Sequence, residues 1–140
     1  MNIGEVADKS GVPAKTIRYY EEVGLIPPAR RGATGYRSYD ARDLATLRFV
    51  QRARSLGFAV KDVGALLALW HDSERASAEV KSLAGHHVDE IDRKLAELRS
   101  MRRTLVDLME RCHGDDRPDC PILDDLAGVE QRKYRAFRGD

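Results

Sequence analysis

A chain of 140 residues with 42% hydrophobic content can bury a modest core in one or two small units, and no large enzyme-like interior. No apolar stretch is long enough to span a bilayer and no secretion-type leader opens the chain, so the expectation is a cytoplasmic protein with reduced thiols and no membrane partner. The net charge of +1 is unevenly divided: residues 1–71 carry 11 Lys/Arg against 7 Asp/Glu, and residues 72–140 carry 13 against 16, a weak pointer to nucleic acid at the front.

Asn2, with Glu5 three residues on, predicts the start of a short helix whose inward stripe is Ile3, Val6 and Ala7. Ser10-Gly11 stops it. Pro13 then opens a second helix over residues 14–22 that ends near Gly24. Two short helices about a turn containing Gly11 read as helix-turn-helix, with Lys15, Thr16, Arg18 and Tyr19 projecting from the second as phosphate, base-edge and sugar contacts. An exposed basic residue or two on any amphipathic pair is also compatible with a solvated face. The next stretch narrows that choice. In Ala29-Arg30-Arg31-Gly32-Ala33-Thr34-Gly35-Tyr36-Arg37-Ser38-Tyr39, glycines mark a hairpin turn and aromatic residues alternate with arginine, the composition of a two-stranded wing that carries cations to a phosphate backbone.

Asp40 caps a third helix bearing Leu44, Leu47, Phe49, Val50 and Leu56, with Arg54 on its other face, and a fourth covers residues 60–70. From about residue 77 to 112, apolar residues recur at spacings of four and three: Ala84, Val88, Ile91, Leu95, Leu98, then Arg102 as a break, then Leu105, Met109 and Cys112. A helix of that length is roughly 50 Å long and cannot bury its seam alone, which calls for a partner chain. Gly85 and the pair His86-His87 weaken it near its start. The two histidines lie on different faces and read as surface or interface residues rather than ligands.

Both cysteines stand in Cys112-His113-Gly114-Asp115-Asp116-Arg117-Pro118-Asp119-Cys120, followed by Pro121. Cys112 ends the long helix, and Cys120 sits at the cap of a short helix over residues 121–126 with proline first. Two soft sulfurs on a short loop can meet around one ion, and thiolates select soft metals such as Cu(I). The helix start at Cys120 favours the thiolate. Three other readings stay open: a zinc site, short of ligands unless His113 and an aspartate join; a redox disulfide; and two unrelated free thiols.

The series Ile3-Gly4-Glu5-Val6-Ala7, then Thr16-Ile17-Arg18-Tyr19-Tyr20-Glu21 with Gly24-Leu25-Ile26, then Gly35-Tyr36-Arg37-Ser38-Tyr39, and on through Asp40 to Gly57-Phe58, closely resembles the MerR family of transcription regulators. The resemblance implies a mainly α fold. A winged helix-turn-helix DNA-binding domain at 1–71 is followed by a long antiparallel coiled-coil dimerisation helix at 72–112 and a short metal-binding loop and helix at 113–128; the basic tail at 129–140 shows no helical stripe of its own and reads as disordered. Within the family the chain is most similar to copper-efflux regulators, through Cys112, Cys120 and the residues between and after them. Members that sense divalent ions carry a third cysteine where this chain has Ser77, which makes Ser77 a selectivity position. Two-coordinate binding suits a d10 monovalent ion, whereas Zn(II) is left short of ligands.

The resemblance therefore implies a non-enzymatic homodimer that binds Cu(I), or Ag(I) and Au(I) as surrogates, at Cys112 and Cys120. It would hold double-stranded promoter DNA through Lys15, Thr16, Arg18, Tyr19, Arg30, Arg31, Tyr36, Arg37 and Arg54. RNA polymerase is the implied partner at the promoter, and copper-efflux genes the implied targets, switched on by bending and untwisting an overlong spacer. The alternatives are a regulator of the same family responding to another metal or to thiol oxidation, and a small thiol redox or metal-carrier protein. The spacing of the cysteines is too wide for the Cys-x-x-Cys that such proteins place at a helix start.

Overall fold

The computed structural model describes residues 1–32, 35–115 and 118–128. The wing tip at 33–34, the middle of the cysteine loop at 116–117 and the expected tail lie outside them. Six helices and a two-stranded hairpin are formed by these residues: α1 (Ile3–Ser10), α2 (Ala14–Glu22), β1 (Arg30–Arg31), β2 (Arg37–Ser38), α3 (Ala41–Ser55), α4 (Val60–His71), α5 (Ser77–Arg111) and α6 (Pro121–Ala127). No helix among the described residues is long and apolar enough to cross a membrane.

The caps set the boundaries. Asn2 Oδ1 accepts the Glu5 amide at 2.8 Å, half of a capping box, while Asp40 and Asp43 make the full reciprocal pair, each side chain accepting the other's backbone N–H at 2.9 Å. Gly11 closes α1 at φ 77°, a left-handed value that only glycine adopts without strain. Ser10, buried beside it, accepts the Val12 amide through Oγ at 3.1 Å, which holds the turn of the helix-turn-helix.

The chain divides into two compact units, residues 1–87 and residues 88 onward. The first has one apolar core, with Val6 from α1, Val12 from the turn, Ile17 and Tyr20 from α2, Tyr39 from the end of the wing, Leu47 and Val50 from α3, Phe58 from the α3–α4 turn and Val63 and Leu67 from α4. Of the α3 residues expected inside, Leu44 and Phe49 are half-buried and Leu56 is exposed, because Leu56 lies past the last helical residue at the C-cap. The end of the wing is pinned to the N-terminus, where the Met1 ammonium donates to the Tyr39 carbonyl at 2.7 Å and the Tyr39 amide to the Met1 carbonyl at 2.8 Å.

In the second unit Val88, Ile91, Leu95, Leu98, Leu105 and Met109 are all 40% or more exposed in the single chain. A stripe of that length left open on one helix face is what an unpaired coiled-coil seam looks like. Helix α5 runs unbroken through Gly85, His86 and His87. His86 is exposed as expected, but His87 is buried within its own chain.

Candidate operator interface and thiol pair

Helix α2 buries Ile17 and Tyr20 and thereby turns Lys15, Arg18 and Tyr19 outward, all three exposed, with Thr16 half-buried between them. That is the disposition of a reading helix, since the inward stripe fixes which side chains remain for a ligand. The wing pairs Arg30 with Ser38 and Arg31 with Arg37 in antiparallel register, and the Gly32 amide donates to the Tyr36 carbonyl at 3.0 Å to continue the ladder toward the tip. Arg30, Arg31 and Tyr36 are exposed there. Arg30 also pairs with Asp40 at 2.9 Å, an exposed contact that screening makes weak. Asp40 itself is held below the usual carboxylate range, first by the Asp43 amide that it caps and less by the Arg30 charge.

Arg37 is different. Its side chain is one-third exposed, and Nη1 lies 3.2 Å from Oε2 of Glu21, whose side chain is only 7% exposed. The other oxygen, Oε1, accepts the Tyr39 hydroxyl at 2.5 Å. Burial, then the bond to Glu21 and its charge, push the Tyr39 phenol up to about 12. Glu21 is thus a functional residue that the sequence reading missed: it ties the last residues of the wing to the helix that carries Arg18. A signal existed, because a carboxylate on the same helical stripe as Ile17 and Tyr20 needs a cation or donor to be buried. Arg54 is an exposed residue that donates from Nη1 to the Phe58 carbonyl at 2.7 Å, so part of its donor set holds the α3–α4 turn.

The thiol pair belongs to the second unit. Cys112 is the first residue past α5, and its amide still bonds the Leu108 and Met109 carbonyls at 3.1 Å. Cys120 is the N-cap of α6, in extended conformation, with Pro121 at the first helical position and its own carbonyl accepting the Asp124 amide at 3.0 Å. Both sulfurs are free and half-buried. Leu108, one turn before Cys112, is buried, as is Pro121 next to Cys120, so each cysteine stands within a turn of a buried apolar residue. Among the described residues no group of three or more His, Cys, Asp or Glu side chains could hold a metal ion. Ser77 is the exposed first residue of α5, at the opposite end of that helix from Cys112.

Two family patterns match this arrangement, one described as MerR HTH family regulatory protein over residues 1–69 and one as MerR, DNA binding, over residues 44–108. The chain belongs to the MerR family. It is a non-enzymatic DNA-binding transcription regulator of mainly helical fold. This MerR regulator is 57% identical over 127 residues to the HTH-type transcriptional regulator HmrR of Rhizobium leguminosarum bv. viciae, covering 91% of the chain and 98% of that relative. It is 44% identical over 138 residues to the HTH-type transcriptional regulator CueR of Salmonella typhi, covering 99% of the chain and 100% of that relative. Among solved structures it resembles the transcription regulator PbrR691 from Ralstonia metallidurans CH34 in complex with lead(II), with TM-score 0.77, 33% identity and coverage of 90% of this chain and 98% of that one.

Proposed function

We propose that this MerR regulator works as a cytoplasmic homodimer that holds promoter DNA through its winged helix-turn-helix and answers to Cu(I), with Ag(I) or Au(I) as surrogates, through Cys112 and Cys120. The observation that carries the reading is the donor set: two free, half-buried thiols flank a short loop, one just past the end of the long helix and one at the cap of the next. That set is complete for a two-coordinate d10 ion and incomplete for Zn(II), which prefers four ligands. Cys112 and Cys120 would hold the ion, which would supply a soft Lewis acid for their sulfurs; so held, the two residues would fix the end of α5 against the start of α6, and the α6 N-terminus would offset in part the net negative charge that two thiolates and one monovalent cation leave.

On the DNA side, Lys15, Thr16, Arg18 and Tyr19 meet the major groove, while Arg30, Arg31, Tyr36, Arg37 and Arg54 meet the flanking backbone. A conformation favoured by the closed thiol loop bends and untwists the spacer so that RNA polymerase engages both promoter elements and copper-efflux genes are transcribed. A lead(II) complex of a solved relative supports a second reading, a regulator of divalent ions. Serine at position 77 speaks against it.

Native mass spectrometry of anaerobically purified protein, with Cu(I) and with Zn(II), combined with in vitro transcription, tests the proposal. One Cu(I) per two-thiol site, activation by Cu(I) and none by Zn(II), and loss of activation in Cys112→Ser and in Cys120→Ser are expected. Equal activation by Zn(II), or full activation of Cys112→Ser by Cu(I), overturns it.

A further inference from the structure

The first turns of α5 are fastened to the DNA-reading unit by a residue that neither the operator interface nor the thiol pair uses. His87 is 8% exposed. Its Nε2 lies 2.7 Å from the Leu56 carbonyl, and because a carbonyl can only accept, Nε2 carries the proton and donates. Leu56 is the C-cap of α3, so its carbonyl is among those that the helix leaves without an internal partner. A ring from another helix fills that need. The same ring stacks on Phe58, centroids 4.1 Å apart and planes inclined by 27°. Between the two contacts stands Gly57, at φ 89°, where a Cβ would come within 3.3 Å of the His87 Nε2. The backbone there is left-handed and the imidazole lies against it, so the turn is shaped around this side chain.

The turn also holds Arg54, whose Nη1 donates to the Phe58 carbonyl at 2.7 Å. Leu56, Gly57 and Phe58 are therefore gripped by Arg54 from α3 and by His87 from α5. His87 is the last residue of the first compact unit, and α5 continues from Val88 into the second. We propose that His87 is the positioning residue of the switch: by capping α3 and stacking on Phe58 it transmits the state of α5 to the turn that sets Arg54. The signal in this scheme rests on the metal-responsive function proposed for the thiol pair, but the mechanical link does not, since any effector acting through α5 would use it.

The test uses the full-length dimer with His87→Phe, which keeps a stacking ring and removes the donor, His87→Gln, which keeps an N–H donor and removes the ring, and His87→Ala, which removes both. The first readout needs no metal. Hydrogen exchange of the amides at 77–87 and 56–59 is compared with and without operator DNA. Operator binding is expected to slow exchange in the wild type at 77–87, to leave that segment unchanged in His87→Ala and His87→Phe, and to slow it in part in His87→Gln. The second readout is Cu(I)-dependent transcription, for which the ratio of activated to basal output should fall about tenfold in His87→Ala, within the usual range of allosteric coupling, while Cu(I) stoichiometry stays at the wild-type value. His87→Gln should recover part of that ratio, which a merely structural role would not predict. Wild-type coupling in both readouts for His87→Ala, or a His87→Gln protein no better than His87→Ala, overturns the proposal. A wild type that shows the exchange coupling but no Cu(I) response refutes the copper reading and leaves the link through His87 standing.

Discussion

The Tyr39 hydroxyl donates at 2.5 Å to Oε1 of Glu21, the carboxylate whose other oxygen lies 3.2 Å from Arg37. One buried acid thus joins the last residue of the wing region, a wing arginine and the reading helix. Because the phenol is raised from 10.0 to about 12, the folded state favours its protonated form. The stability this contributes is fully present below pH 10 and is lost as pH climbs from there through about 12. A difference titration of tyrosinate absorbance between wild type and Tyr39→Phe should show ionisation near the upper value, accompanied by unfolding. Ionisation centred on the ordinary tyrosine value would remove the arrangement. Glu21→Gln, which keeps an acceptor and loses the ion pair, should cost about 1–3 kcal/mol in urea unfolding.

Arg18 is exposed and has no role in the core, so Arg18→Ala should weaken operator binding by roughly 1–3 kcal/mol if it reads a base through two bonds, and by less if it meets phosphate. Fluorescence anisotropy at fixed salt measures this. Thermal melts of the same protein should be unchanged. Arg37→Ala should weaken binding too, but with a lower melting temperature, since it also strips Glu21 of its counter-ion. Unaltered operator affinity in both variants would falsify the assignment of the reading head.

The open stripe on α5 predicts an obligate dimer. Leu98, 58% exposed in the single chain, sits in the middle of it, and Leu98→Asp would place a charge in the paired seam. Sedimentation should show a wild-type dimer at micromolar concentration and a monomer or unfolded chain for the variant, a loss of several kcal/mol at a paired apolar site. A wild-type monomer there would rule out the paired seam.

Metal choice is expected to turn on position 77. Ser77→Cys adds a sulfur at the far end of α5 from Cys112, where in an antiparallel pair the partner's thiol loop would meet it. A third thiolate brings the site closer to the four ligands that Zn(II) prefers. Competitive chelator titrations should then show tighter Zn(II) binding in Ser77→Cys than in the wild type. Identical Zn(II) affinities would mean that the third donor position lies elsewhere.

The order of the helices, their caps and the outward faces of α2 and α5 were legible in the sequence because each depends on residues within a turn or two: Asn2 with Glu5, Asp40 with Asp43, Gly11 at a left-handed stop, and the four-three spacing from Val88 to Met109. The placement of Cys112 after a helix end and of Cys120 at a helix start was legible for the same reason, since each is set by the residues next to it. What only the tertiary structure decided are contacts between segments far apart in the chain. Tyr39 reaches Glu21 across 18 residues and His87 reaches Leu56 across 31, and in both cases a polar side chain is buried because a distant partner satisfies it. Local periodicity assigns such residues to a face but carries no information about what approaches that face. This is why His87 read only as a surface or interface residue, with no partner named, and is found buried against Leu56 and Phe58 of its own chain.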